Sequence, residues 1–226
     1  MIGETIWGDL PFDEAIAFFR GQIPMTMDQF LMLSDEARAR AFSVSNVTGI
    51  DALKSMQDSL SKALEEGLTF ADWQALAGDI LSKYDIGGAL ADTIFRTNLQ
   101  TAYQAGHYMQ MSDPDVVKER PFWRYVAVMD ERTRPEHAAW HDTVLPTDDP
   151  WWDTHYPPNG YNCRCTVVSM SEAGLERSGL PVSPSPKIEY YEYVDKRTGE
   201  VREVPKGIDP GFDSNPAKLG MAMGLL

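Results

Sequence analysis

The chain has 226 residues, 43% of them hydrophobic and 24% charged, enough apolar material for one good core with a small appendage and too much for a disordered polymer. Its 34 acidic residues outnumber 20 basic ones, a net charge of −14, which argues against nucleic-acid coating, because displacing phosphate counterions needs a broad basic footprint. No run of about 18 apolar residues marks a membrane span, and residues 1–10 lack the basic start and apolar core of a secretory signal, so synthesis in a cytoplasm and no membrane partner are expected.

Residues 10–111 read as helices. Phe12, Ile16, Phe18 and Phe19 give an apolar first helix that stops near Gly21 and Pro24. Ser34 is positioned as an N-cap before D-E-A-R-A-R-A-F, whose early acidic residues suit the helix dipole. Ile50, Leu53, Met56, Leu60, Ala63 and Leu64 recur at helical spacing up to Gly67. Thr69 opens a capping-box-like T-F-A-D, and the spacing predicts one helix from there to about Tyr84. Gly87-Gly88 then separates it from a longer helix, Ala89 to Met111, which Pro114 follows.

At Pro121 the period changes. Phe122 to Met129 alternates as a strand buried on at least one side. Pro135 fits the first turn of a short helix, P-E-H-A-A-W-H. Thr143 to Asn162 is rich in Pro, Asp and Trp without a period and reads as an ordered loop. Cys163 to Met170 reads as a second strand and Ser171 to Ser178 as a short helix. Residues 179–187 form a Pro/Ser linker by composition. Two short strands around K-R-T-G signal a hairpin, and a turn-rich tail follows. The expected fold is therefore α+β, an N-terminal helical half packed on a small sheet, with a C-terminal hairpin extension. The boundaries are 1–178 for the main domain (helical 10–111, α+β 120–178), 179–187 for the linker and 188–226 for a hairpin and tail expected to dock weakly or on a partner.

The stretch from Asp130 to Cys165 concentrates rare side chains, with both cysteines and three of the six tryptophans. Such crowding in an irregular segment marks where recognition or chemistry sits. His137 and His141 lie four apart on the short helix and share a face. With Cys163 and Cys165 they make the inventory of a two-His, two-Cys zinc site. The spacing C-x-C is tighter than usual ligand spacing, and the simpler reading packs the thiols as small hydrophobes with His137 hydrogen-bonded in its turn. On a strand the two Cα atoms would be roughly 6.5–7 Å apart, at the limit for a disulfide. A metal-dependent nuclease would use Asp130, His137 and His141 with the cysteines. Against that, Asp130 is suited to accept turn hydrogen bonds and Arg132 to pair with a carboxylate. Trp140, Trp151, Trp152, Tyr156 and Tyr161 are candidates either for packing the loop or for anchoring a partner. The basic residues that gather are Lys118, Arg120, Arg124, Arg132 and Arg134, the one local patch through which DNA contact is conceivable.

These motifs carry a resemblance. Asp130, Arg132, Thr133 and His137, followed by Pro157, Pro158, Asn162, Cys163, Arg164 and Cys165, resemble the signature of the phage Mu F-like minor head proteins, the phage head morphogenesis family. Upstream, R-T-N-L-Q-T-A-Y-Q-A-G (residues 96–106) is similar to the helix preceding that signature, and the likeness spans roughly residues 12–171. Many relatives carry C-x-x-C and a further His where this chain has Arg134, His137 and Gly160. The resemblance implies a structural minor capsid protein of a tailed phage or prophage. It would work in head assembly near the portal, reside in the virion head and be made in the bacterial host cytoplasm. Portal and capsid proteins would be its partners, with no catalytic residues, no small-molecule substrate and no cofactor unless zinc. The alternative is a metal-dependent nuclease or toxin-type effector built on Asp130, His137, His141, Cys163 and Cys165.

Overall fold

The computed structural model describes residues 12–222 except Ser34, Ala39, Ser45, Asn46 and Arg197, and its fold is α+β. Two compact units emerge, one running to His107 and taking in the chain from Leu219, the other spanning Tyr108–Lys218.

The first unit is built from α1 (Asp13–Gly21), β1 (Ile23–Pro24), α2 (Met27–Leu31), α3 (Asp35–Arg38), β2 (Ala41–Phe42), α4 (Ile50–Glu66), α5 (Phe70–Leu76), α6 (Gly78–Lys83) and α7 (Gly88–Met111), the last of which ends in the second unit. In α4, Leu53, Met56, Leu60 and Ala63 recur at three- and four-residue spacing, and all four are buried. Gly67 ends the helix in the left-handed region at φ +62°, where a side chain would be strained. The Thr69–Asp72 capping box starts α5, with each side chain accepting from the other's backbone N–H at 3.3 Å. The single helix expected from Thr69 to Tyr84 is two, broken at Ala77–Gly78, where glycine weakens helical continuity. The expected Ser34 cap lies outside the described residues. The parallel pair β1–β2 is only two residues long and left no periodic trace.

Phe18, Phe19, Phe42, Leu53, Met56, Leu60 and Trp73 fill this core. Several of its polar groups are paired: Trp73 Nε1 donates to Ser59 Oγ at 3.0 Å, and buried Gln57 donates to the carbonyls of Phe19 and Gln22 at 2.9 and 2.8 Å. The second bond holds the chain leaving α1. Gly106 on α7 lies against α1 so closely that a Cβ there would sit 2.6 Å from the Ala15 backbone nitrogen.

In the second unit, α8 (Pro114–Glu119) precedes a three-stranded antiparallel sheet of order β4-β3-β5, formed by β3 (Phe122–Val126), β4 (Val144–Pro146) and β5 (Thr166–Met170). Trp123 sits opposite Leu145 on one side and Ser169 on the other. The alternation sends Trp123 and Tyr125 into the core and leaves Phe122, Arg124 and Val126 half-buried. The strand ends at Val126, short of the expected Met129, and Val128 and Met129 are exposed. Between the strands lie α9 (Pro135–Ala139) and α10 (Trp152–His155); α11 (Glu172–Ser178) follows β5. The stretch expected as loop thus contains a strand and a helical turn. Neither is long enough to set a period.

The Trp-rich segment forms an aromatic core. Tyr108, Trp123, Trp152 and Tyr156 meet edge to face, with centroids 5.1–5.8 Å apart in the closest pairs. Tyr125, Trp140, Trp151 and His155 continue it, with His155 stacked on Trp151 at 4.4 Å. Each large ring removes roughly 150–250 Å² from water, on the order of 4–6 kcal/mol before ordering costs, so these contacts outweigh any one hydrogen bond here.

A hairpin of β6 (Tyr190–Val194) and β7 (Val201–Pro205) flanks K-R-T-G, with Glu192 directly opposite Glu203 and exposed Val194 opposite Val201. The tail does not dock weakly, as expected from its composition. Val204 and Ile208 are buried, and the Pro/Ser linker hydrogen-bonds to β4, Ser183 N–H donating to Val144 O at 2.8 Å. A short helix, α12 (Pro216–Ala222), ends the described chain.

Two measurements check this packing. Gly106→Ala is expected to destabilise the protein by about 1–3 kcal/mol, read as a lower denaturant midpoint, because backbone must yield to the added methyl; an unchanged midpoint would refute the close crossing. Burial drops the His155 pKa from 6.5 to about 4. The folded protein therefore refuses a proton that the unfolded chain accepts, and stability falls as pH drops from about 6.5 to 4, by at most about 3 kcal/mol. His155→Gln should flatten that part of the stability–pH curve.

Candidate functional site

The site grows from the turn after β3. Asp130 caps it: its carboxylate accepts from Arg132 N–H at 3.0 Å and its carbonyl from Thr133 N–H at 3.1 Å. The Thr133 hydroxyl donates to Val128 O. Arg164 closes on Asp130 with two parallel bonds of 2.7 and 2.5 Å, and that guanidinium holds the carboxyl well below the usual carboxylate range. Arg132, by contrast, is exposed and only 3.8 Å from Asp130. The fork–fork pair ties the turn after β3 to the segment entering β5.

Pro135 opens α9, which places His137 inside, 2% exposed. Its Nε2 lies 2.9 Å from the carbonyl of Gly207. A carbonyl only accepts, so Nε2 carries the proton, and in the neutral ring Nδ1 turns its lone pair inward. There it meets Cys165 Sγ at 3.5 Å and Cys163 Sγ at 3.8 Å. Both cysteines are buried thiols outside any disulfide. Hydrogen bonding from Cys165 pulls Cys163 down from the ordinary thiol value, while the same contact and burial push Cys165 up.

The cysteines do not lie on the strand expected from Cys163 to Met170, which begins at Thr166. They sit in the turn before β5, where Asn162 adopts φ +57°, and Arg164 between them reaches outward to Asp130. The Pro157–Pro158 peptide leading in is cis. Both prolines are buried, as is Asn159, whose Oδ1 accepts from Tyr125 OH at 2.8 Å. Burial raises the Tyr125 phenol well above its ordinary value, so it stays a donor.

His141 does not join the cluster. Its Nδ1 accepts from Ala127 N–H at 3.1 Å and its Nε2 lies 3.4 Å from Asp142. The nuclease set therefore does not assemble, since Asp130 and His141 are engaged elsewhere. Among the described residues, His137, Cys163 and Cys165 are the one group whose ligating atoms converge, all within 4.8 Å of one another. They border a cavity of about 160 Å³ with Thr133, Arg134 and Asn162.

Of the aromatic residues considered as partner anchors, Trp151, Trp152 and Tyr156 are core and present no face outward. Trp140 is half-buried against His137, and Tyr161 is exposed, edge-on to Phe212 at 4.9 Å. The basic patch is largely consumed by intramolecular bonds: Arg120 to Ser169, Arg124 to Asp142 and Arg134 to Asp209.

Sequence reasoning passed over two contributors. His155 gave no spacing signal and is a core residue. The tail was not connected to the site, yet Asp209 accepts from Arg134 at 2.8 Å and from Tyr161 N–H at 2.9 Å, while its own N–H donates to Asn159 O at 3.0 Å. Gly160 and Gly207 permit this approach. A Cβ on Gly160 would lie 2.3 Å from the Asp209 carboxylate, and Gly207, at φ +84°, would press one into Glu136 and Trp140.

The chain belongs to the family described as Phage Mu protein F like protein, whose model matches residues 54–168. It is 36% identical to the "Putative capsid assembly protein F" of Escherichia phage Mu, over 93% of this chain and 52% of that one. It is also 36% identical to the "Mu-like prophage FluMu F protein" of Haemophilus influenzae, over 74% of this chain and 44% of that protein. The chain thus spans about half the length of the curated relatives it matches. No solved structure matches it.

The tail clamp has a measurable consequence. Arg134→Ala should cost on the order of 1 kcal/mol locally, or about fivefold faster hydrogen exchange over residues 206–212, with β3 little changed. Equal acceleration in both would show that the clamp is not local.

Proposed function

We propose that this protein is a structural component of a tailed-phage or prophage head, acting in head assembly next to the portal and held in the virion by contacts to portal and capsid proteins. The observation that carries the reading is the match to the phage Mu protein along 93% of the chain. The geometry supports it in two ways. The Asp130–Cys165 segment is a structural knot of buried rings, thiols and a fork–fork ion pair rather than an assembled hydrolytic centre. A net charge of −14 with internally paired arginines favours protein partners over DNA. No helix among the described residues is long and apolar enough to cross a membrane.

The test is genetic and biochemical. In a Mu-like phage carrying this gene, deletion is expected to abolish filled, infectious heads, and the tagged protein should co-purify with the portal. Trp151→Ala, which empties the aromatic core at a cost of about 3–5 kcal/mol, should lower both protein stability and head yield. Normal heads from the deletion, or a metal-dependent nuclease activity of the purified protein that His137→Ala removes without lowering the melting temperature, would overturn the proposal.

A further inference from the structure

The convergence of His137, Cys163 and Cys165 is tighter than packing alone requires. Small hydrophobes have no need of an imidazole lone pair between them, yet Nδ1 faces both sulfurs, at 3.5 and 3.8 Å. Zinc binds thiolate at about 2.3 Å and imidazole at about 2.0–2.1 Å, so adjacent ligand atoms on a tetrahedron lie about 3.6 Å apart for N···S. The observed separations differ from that edge by a few tenths of an ångström or less. All three ligating atoms lie within 4.8 Å of one another, a span that one ion can bridge.

The surroundings match what a metal ligand needs. The Gly207 carbonyl accepts a hydrogen bond from Nε2–H and so fixes the tautomer that presents Nδ1, the outer-shell contact typical of ligating histidines. Only glycine fits at 207, where a Cβ would meet Glu136 and Trp140, and Asp209 two residues on is anchored by Arg134. All three ligating residues are buried. Two thiolates brought together there would repel strongly, and a divalent cation neutralises them. Sulfur and imidazole donors select zinc over magnesium or calcium, which take oxygen.

We propose that His137, Cys163 and Cys165 hold one zinc ion per chain, with its fourth position open to the 160 Å³ cavity and filled by water. The ion would join α9 to the turn before β5 and, through Gly207, to the tail. Its place is architectural: Asp130 is bonded to Arg164 and Asp209 to Arg134, so neither nearby carboxylate is available as a base for hydrolysis. The site rests on this geometry and stands whether or not the protein works in a phage head.

The experiment uses the full chain. Elemental analysis of protein purified without chelator should give one zinc per chain. Cobalt added to chelator-stripped protein should produce a thiolate-to-metal charge-transfer band, and zinc should abolish it. Cys163→Ser, Cys165→Ser and His137→Ala should each lose stoichiometric metal, whereas His141→Ala keeps it. Because those three variants remove buried groups and can misfold, the wild type supplies an independent reading. Chelation should lower its melting temperature and expose both thiols to alkylation, and stoichiometric zinc should reverse both. Absence of a cobalt band together with no zinc-dependent thermal shift in folded wild type would overturn the proposal, as would loss of metal on His141→Ala.

Discussion

A buried imidazole must find a partner for each ring nitrogen, and His137 does so by drawing together segments far apart in the chain. Its Nε2 reaches a carbonyl in the tail and its Nδ1 faces two thiols in the turn before β5. Its ring stacks on Trp140 at 5.1 Å, which in turn meets Tyr125 of β3. Leaving either nitrogen unpaired in that interior would cost about 1–3 kcal/mol. The local conformations around it, the left-handed Asn162 and Gly207 and the tight approach of Gly160, all serve to bring its neighbours within reach.

Charge is arranged to the same end. The chain is strongly acidic, yet several of its few arginines are directed at internal acceptors. Arg164 reads the Asp130 carboxylate bidentately, Arg124 binds Asp142, and Arg134 holds Asp209. Arginine suits these places because its planar fork matches a carboxylate, where lysine offers only a point charge. The surface that remains has little cationic character to attract phosphate.

Much of this could be read before any coordinates. The α+β class follows from the switch between a 3.6-residue and a two-residue period at Pro121, and helices α4 and α7 from long, strongly patterned segments. Family membership was legible because rare residues, N-C-R-C and D-x-R-T, fall in fixed order. Short elements were not legible. β4 has three residues and β1 and β2 two each, too few to set a period, and the break at Gly78 looks from sequence like a tolerated glycine inside one helix. The Cys pair was placed on a strand because alternation cannot distinguish a strand from the extended turn that enters it. The roles of Gly207 and Asp209 were invisible for a different reason. Their partners lie about 70 residues earlier, and no local propensity encodes a contact over that separation.

The β6–β7 hairpin shows a further consequence. A two-stranded ribbon presents two unsatisfied edges, and no third strand covers them among the described residues. Such edges invite edge-to-edge stacking into fibres. Glu192 and Glu203, facing each other across the ribbon, weaken the hairpin slightly in isolation. In a stacked ribbon every added strand would bring further carboxylates against them. The like-charge pair thus trades a little local order for colloidal safety.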